Sequence, residues 1–168
     1  MHIMTVCLGN ICRSPAAEAV LTRKLDEAGL DGVTVSSAGT SDYNIGSAPH
    51  QLSVEEGEGR GYSFGSVATQ FAAEDFDEAD LILVMDGSNE DDVLALARTP
   101  QDRAKVVRLG AFAGDTTQGV LDVPDPWGLP REAYVRMYDQ VEDAVGGLVR
   151  AIQDGSVKDV VAAQHARR

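Results

Sequence analysis

The sequence predicts an α/β domain built on a parallel sheet with helices on both faces, and three observations predict it. Short apolar, β-branched runs alternate with stretches of helical period along the chain, the order that wraps helices around a parallel sheet. The 168 residues suit one domain with one core. Neither an internal repeat nor a linker divides them.

Each element follows from its residues. His2 to Leu8 is apolar and β-branched and reads as a buried strand. Ser14-Pro15 then opens a helix, with serine expected as the cap and proline in the first turn. Glu18 lies near that start, where the helix dipole favours an anion. Ala16, Ala17, Val20, Leu21 and Leu25 form its apolar stripe, and Gly29 ends it. Val33 to Ser37 is the second strand and completes a βαβ unit. Pro49 to Arg60 reads ambiguously, because glycines at 57, 59 and 61 weaken a helix. Ser66 to Phe71 is expected as a short helix, Asp80 to Met85 as a central strand, and Asn89 to Ala97 as a helix. Lys105 to Leu109 is the fourth strand, and Gly110 to Leu129 a long loop rich in glycine, aspartate and proline. Arg131 to Ile152 is an amphipathic helix that buries Tyr134, Met137, Tyr138, Val141, Val145, Leu148 and Val149 and stops at Gly155. We expect one domain over residues 1–156, with 157–168 as a tail or frayed helix.

Composition narrows the function. With 43% apolar residues the chain folds rather than staying disordered. No stretch reaches the roughly 18 continuous apolar residues of a membrane span, and the start has no charged-then-apolar secretory pattern, so a cytoplasmic location is the default expectation. The formal charge of -13, from 27 acidic and 14 basic residues, repels nucleic-acid backbone and anionic lipid, so neither is expected as a partner. The two cysteines, Cys7 and Cys12, make no disulfide framework, and their Cys-x4-Cys spacing does not suit zinc. His2, His50 and His165 form no local ligand cluster, so no metal is expected.

The stretch VCLGNICRSP, Val6 to Pro15, lies on the seam between the first strand and the first helix. In a parallel sheet, ligands sit at the carboxyl ends of strands. Gly9 and Asn10 tolerate unusual backbone angles, so Leu8, Gly9, Asn10, Ile11 and Cys12 can turn successive N–H groups inward as an anion cradle above a helix N-terminus. Arg13 adds a fork of donors suited to a phosphoryl group. A Cys7 thiolate in that setting is favoured by the amides, the dipole and the guanidinium, and Ser14 can donate its hydroxyl to it. Cleaving a phosphate ester this way also needs a proton donor for the departing oxygen. Asp125 in VPDPW is the candidate, framed by Pro124, Pro126 and Trp127, with Asp122 as its rival. Cys12 is either a plain buried residue or a redox partner that forms a reversible disulfide with Cys7.

These residues resemble the low-molecular-weight protein tyrosine phosphatases. The family's Cys-x-Gly-Asn-x-Cys-Arg-Ser-Pro run matches Cys7, Gly9, Asn10, Cys12, Arg13, Ser14 and Pro15. VSSAGTSDYNIG, EDFDEADLILVMDGSN and DPW (Asp125 to Trp127) are similar to later family landmarks in the same order, over residues 3–152. The resemblance implies a doubly wound four-stranded parallel sheet flanked by helices, a phosphocysteine intermediate and no cofactor. It implies Cys7 as nucleophile, Arg13 as phosphoryl clamp and Asp125 as general acid. It further implies that Asn10 braces the loop with Ser37 as support, that Ser14 bonds the thiolate, and that Leu8, Tyr43 and Trp127 line an aryl groove. The implied partner is a phosphotyrosine-containing protein, with inorganic phosphate as product.

Ser66 stands where many members carry a histidine and Thr69 where they carry an arginine, so a bracing network weaker or rebuilt around serine is expected. Gly128 follows Trp127 where a second aromatic is common, which reduces one wall of the groove, and HQLSVEEGEGRG is unusually glycine-rich and acidic. Two other readings use the same loop. An arsenate reductase would want further downstream cysteines, which this chain lacks, and a non-catalytic phosphoanion-binding or redox-sensing regulator would gain nothing from Asp125.

Overall fold

The computed structural model describes residues 1–168. In chain order it contains β1 (His2–Cys7), α1 (Arg13–Glu27), β2 (Thr34–Gly39), α2 (Gln51–Gly59), α3 (Asp75–Glu78), β3 (Leu81–Val84), α4 (Gly87–Leu94), α5 (Pro100–Ala104), β4 (Val106–Arg108), a 3-10 turn over Leu109–Phe112, α6 (Arg131–Asp154) and α7 (Val157–His165). The four strands form one parallel sheet in the order β2-β1-β3-β4. The chain passes from β1 to one side, then returns to the other, so the order reverses beside β1 and opens a crevice at its carboxyl end. Cys7 is the last residue of that strand.

Side chains alternate across the sheet as the pleat requires. Ile3 and Cys7 point into a core shared with α1 and α6, where Leu21, Tyr134, Tyr138 and Leu148 are buried. Met4 and Val6 point into a second core with Phe76, Ile82, Val84 and Val93. Both faces are therefore covered, which is why β3 reads LILV with every residue buried. All seven α6 positions expected to face inward are buried, and Gly155 ends the helix in the left-handed region at φ 79°.

Several expectations need correcting. Ser66 to Phe71 is not a helix. It runs extended beside the end of β2, with Gly39 N donating to Thr69 O at 2.8 Å and Phe71 N to Gly39 O at 2.7 Å. Those long-range bonds satisfy the backbone that a helix would have paired internally. Ser14 does not cap α1; Cys12 occupies that position without a side-chain bond, and Ser14 sits inside the first turn. The ambiguous 49–60 stretch forms α2, started by His50 Nδ1 accepting from Leu52 N at 3.2 Å. Its Gly57 is a packing residue, since a Cβ there would meet the Phe64 ring and stand 2.5 Å from Tyr138 Oη. α3 and α5 are additional short helices, too brief for a periodic pattern. α4 begins at Gly87 because Asp86 caps it, accepting from Asn89 N at 2.7 Å.

The stretch expected as a tail or frayed helix is a docked helix. Gln164 is 2% exposed; its Oε1 accepts from Arg108 N at 3.0 Å, and its Nε2 donates to Glu90 at 3.2 Å. His165 Nε2 lies 2.7 Å from Val106 O, and Arg168 donates to Val106 O and Glu90. α7 thus closes the β4 edge, which otherwise presents unpaired backbone groups. Gln164→Leu leaves the Arg108 amide without its buried acceptor and is expected to cost about 1–3 kcal/mol of stability, read as a lower urea midpoint at unchanged slope. None of the helices is long and apolar enough to cross a membrane.

Candidate active site

The loop from Leu8 to Cys12 carries the chain from β1 into α1. Its carbonyls are tied outward. Cys7 O accepts from Thr40 N, Leu8 O from Ser41 N, Ile11 O from His50 N and Cys12 O from Ala16 N. Gly9 O accepts from Asn44 Nδ2 and Ser14 O from Thr5 Oγ1. In contrast, the backbone N–H groups from Leu8 to Ser14 donate to no other group of the protein. A turn with its carbonyls fixed on the outside and its amides unclaimed is a nest for an anion.

Two residues make that turn possible. Asn10 is the one non-glycine residue with positive φ, at 55°. Gly39 ends the neighbouring strand, where a Cβ would stand 2.8 Å from Leu8 O and 3.1 Å from Asn10 N. Of the Gly9-Asn10 pair, only Asn10 uses that freedom; Gly9 keeps a negative φ. It gives space instead, because a Cβ there would lie 2.6 Å from Asn44 Nδ2.

Cys7 is 2% exposed, with Sγ 3.1 Å from Ser14 Oγ. Asn10 Nδ2 donates to Ser14 Oγ at 2.8 Å and to Ser37 Oγ at 3.0 Å, while its Oδ1 accepts from Thr69 N at 3.0 Å. Ser37 and Ser66 hydroxyls both donate to Glu18 Oε1, at 3.3 and 3.0 Å. Burial raises the Glu18 pKa, and the two serine hydroxyls partly offset this. The bracing network is therefore rebuilt: Ser66 reaches Glu18, and Thr69 contributes its backbone amide rather than a charged side chain.

Arg13 is 2% exposed and enters the same site from the first turn of α1. Its Nη1 donates to Asp86 Oδ2 at 2.6 Å and to Val123 O at 3.0 Å. Its Nε is buried without a partner, and its Nη2 lies 3.7 Å from Asp125 Oδ2. One edge of the guanidinium is thus anchored, and the other offers donors to a ligand. Asp125 is exposed at the rim and accepts from Trp127 N at 3.1 Å, an Asx turn that holds its carboxylate over Arg13. Asp122 faces elsewhere, its carboxylate 3.2 Å from Arg108 Nη1. Among these residues lies a cavity of about 280 Å³, lined by Cys7, Leu8, Gly9, Ile11, Cys12, Arg13, Tyr43, Asn44, Asp125 and Trp127. Tyr43 and Trp127 stand 76% and 65% exposed as its open walls.

Sequence reasoning missed Asp86, Asn44 and the Thr69 amide. Asp86 carries the only available signal, as a capping-type residue directly after a buried strand next to the switch in strand order.

Cys7 and Cys12 are both free thiols. Burial pushes the Cys12 thiol from 9.0 up to about 12, with the Tyr134 hydroxyl at 3.7 Å opposing the shift. Folded Cys12 therefore binds its proton more tightly than the unfolded chain does. Its contribution to stability is complete below pH 9.0 and declines as pH rises toward about 12. At pH 7, iodoacetamide is expected to modify Cys7 and spare Cys12, as peptide mapping by mass spectrometry can check.

The family model for low molecular weight phosphotyrosine protein phosphatase matches residues 2–158. A Synechocystis sp. protein named for that phosphatase class is 40% identical over 153 residues, covering 90% of this chain and 96% of its own. The crystal structure of an Entamoeba histolytica protein tyrosine phosphatase with Hepes in its active site superposes with TM-score 0.87 at 32% identity, covering 94% of this chain and 99% of that one. A Drosophila arginine phosphatase superposes with TM-score 0.84 at 26% identity, over 90% and 98% of the two chains.

Proposed function

This chain belongs to the low molecular weight phosphotyrosine protein phosphatase family and is a phosphatase that works through a catalytic cysteine; from that premise we propose that Cys7 is the nucleophile and that phosphotyrosine in proteins is its substrate. The observation that carries the reading is the run of unclaimed amides from Leu8 to Ser14 around the Cys7 sulfur, closed on one side by the free edge of Arg13.

The Cys7 thiolate attacks phosphorus in line with the ester oxygen. The S–P bond forms as the P–O bond to the tyrosine ring breaks. Loop amides and the Arg13 Nε and Nη2 groups receive the equatorial oxygens, whose charge is spread most widely in the transition state. Asp125, protonated in the first step, gives its proton to the leaving phenolate oxygen. In the second step its carboxylate takes a proton from water, which attacks the phosphocysteine and releases inorganic phosphate and the thiolate. Ser14 steadies the thiolate, and Asn10 and Ser37 hold Ser14 and the loop in position. No cofactor enters either step.

An arginine phosphatase shares this architecture, so phosphoarginine is the competing substrate. The walls favour an aryl ester, since Leu8, Ile11, Tyr43 and Trp127 offer apolar and aromatic surface to a flat ring. Cys12 is either a buried packing residue or, once a peroxide has oxidised the Cys7 thiolate to a sulfenic acid, its resolving thiol: loss of water then joins the two sulfurs in a disulfide that thioredoxin-type dithiols reduce. A reducing compartment, the cytoplasm, keeps both thiols ready for this cycle. The test is acid quench of the enzyme during turnover of a phosphotyrosine peptide, followed by mass spectrometry. One phosphoryl group on the Cys7 peptide is expected, with phosphoarginine turned over at least tenfold more slowly. A preference for phosphoarginine, or a phosphoryl group on any other residue, overturns the assignment.

A further inference from the structure

A second groove, of about 710 Å³, opens from the catalytic cavity across Leu8 and Tyr43, which line both. It runs between the Thr40–Tyr43 turn, the Gln70–Ala73 segment and the end of α4 at Asp92, Ala95 and Leu96. Its floor is apolar: Phe71 is buried beneath it, Ala72 and Ala95 keep it low, and Leu96 stands 42% exposed on its side. Two carboxylates face this groove, Asp42 and Asp92. Both are exposed, and neither has an ion pair or a hydrogen bond. No lysine, arginine or histidine lines it.

We propose that this groove receives a lysine or arginine side chain flanking the phosphotyrosine of a protein substrate, and so gives the enzyme a preference for basic sequence context. The inference rests on the phosphotyrosine reading above. A long cationic side chain packs its methylenes on apolar surface while its head stays solvated and paired, which is what an apolar floor with rim carboxylates offers. Charge complementarity adds to this. With a net charge of -13 the protein repels an approaching phosphate ester, and a cation beside the phosphotyrosine offsets that repulsion at the mouth of the site.

The test uses matched phosphotyrosine peptides carrying two lysines or two glutamates within three residues of the phosphotyrosine, on either side. The lysine peptide on one side is expected to show kcat/KM about fivefold higher at low salt, with the ratio falling toward one at 1 M salt. In Asp42→Asn/Asp92→Asn the low-salt ratio also falls toward one. The same charge change at the end of α1 and in the turn after it, Asp26→Asn/Asp31→Asn, keeps it. No lysine preference in the wild-type enzyme, or an equal collapse in both double variants, overturns the groove as its source. Wild-type turnover of p-nitrophenyl phosphate separates the two levels: its absence defeats the phosphatase reading, and its presence without peptide selectivity defeats only this one.

Discussion

Replacing Cys7 by serine is expected to lower kcat on an aryl phosphate about ten-thousandfold or more while phosphate still binds. The sulfur sits at the end of β1, and the elements holding it there do not depend on its identity: the strand is paired on both sides, and Ser14 and Asn10 are fixed to Ala38, Ser37 and Thr69. Serine is smaller and isosteric enough to leave packing and thermal stability near wild type. What it loses is the sulfur nucleophile, since a hydroxyl gives up its proton far less readily than a thiol. The amides and the Arg13 edge favour an anion, yet an alkoxide lies too far above the working pH for that environment to populate it. Those same donors remain, so inorganic phosphate should still inhibit proteolysis of the loop or be seen by calorimetry with affinity within a few-fold of wild type. Turnover in Cys7→Ser comparable to wild type would mean that another group makes the bond to phosphorus.

Much of this site is legible in ten residues, because a strand-to-helix turn compresses the proposed nucleophile, the amides and the proposed clamp into one local stretch. Cys7, Arg13 and the loop between them meet through short-range geometry alone, and the Gly-Asn pair marks the turn. Asp125 is legible through the rigidity of its proline frame, although its approach to Arg13 is a matter of tertiary structure. Residues that act through long-range contacts are not legible in that way. Asp86 and Val123 anchor Arg13 from 73 and 110 positions away, and the Thr69 amide reaches Asn10 across 59. Asp86 shows in the sequence only as a helix-capping residue after a buried strand, and nothing local announces which side chain it meets. The 66–71 stretch illustrates the same limit in the fold: its backbone bonds go to β2, so its own residue pattern misleads. α7 is hard to read in the sequence for a related reason. Its weak apolar stripe understates a helix held by a buried glutamine, a histidine and an arginine on the β4 edge.

Asp125→Ala is expected to separate the two chemical steps. For phenyl phosphate or a phosphotyrosine peptide, whose departing oxygen needs a proton, kcat should fall about 10²- to 10⁴-fold, the usual contribution of a positioned acid. For p-nitrophenyl phosphate the leaving group is stable as an anion, so formation of phosphocysteine should slow much less. The second step still needs a base to activate water, and the proposed mechanism gives that role to the same carboxylate. The variant should therefore accumulate phosphocysteine with the activated substrate, giving a rapid burst of nitrophenolate followed by a slow steady rate. Asp125 is well placed for both duties: its Oδ1 is fixed by the Trp127 amide, and its Oδ2 stands near the unanchored edge of Arg13. Asp122→Ala provides the control, since that carboxylate pairs with Arg108 outside the cavity and its loss should leave the leaving-group dependence unchanged. Equal slowing of both esters in Asp125→Ala, without a burst, would remove Asp125 from proton transfer and return the search to another group at the rim.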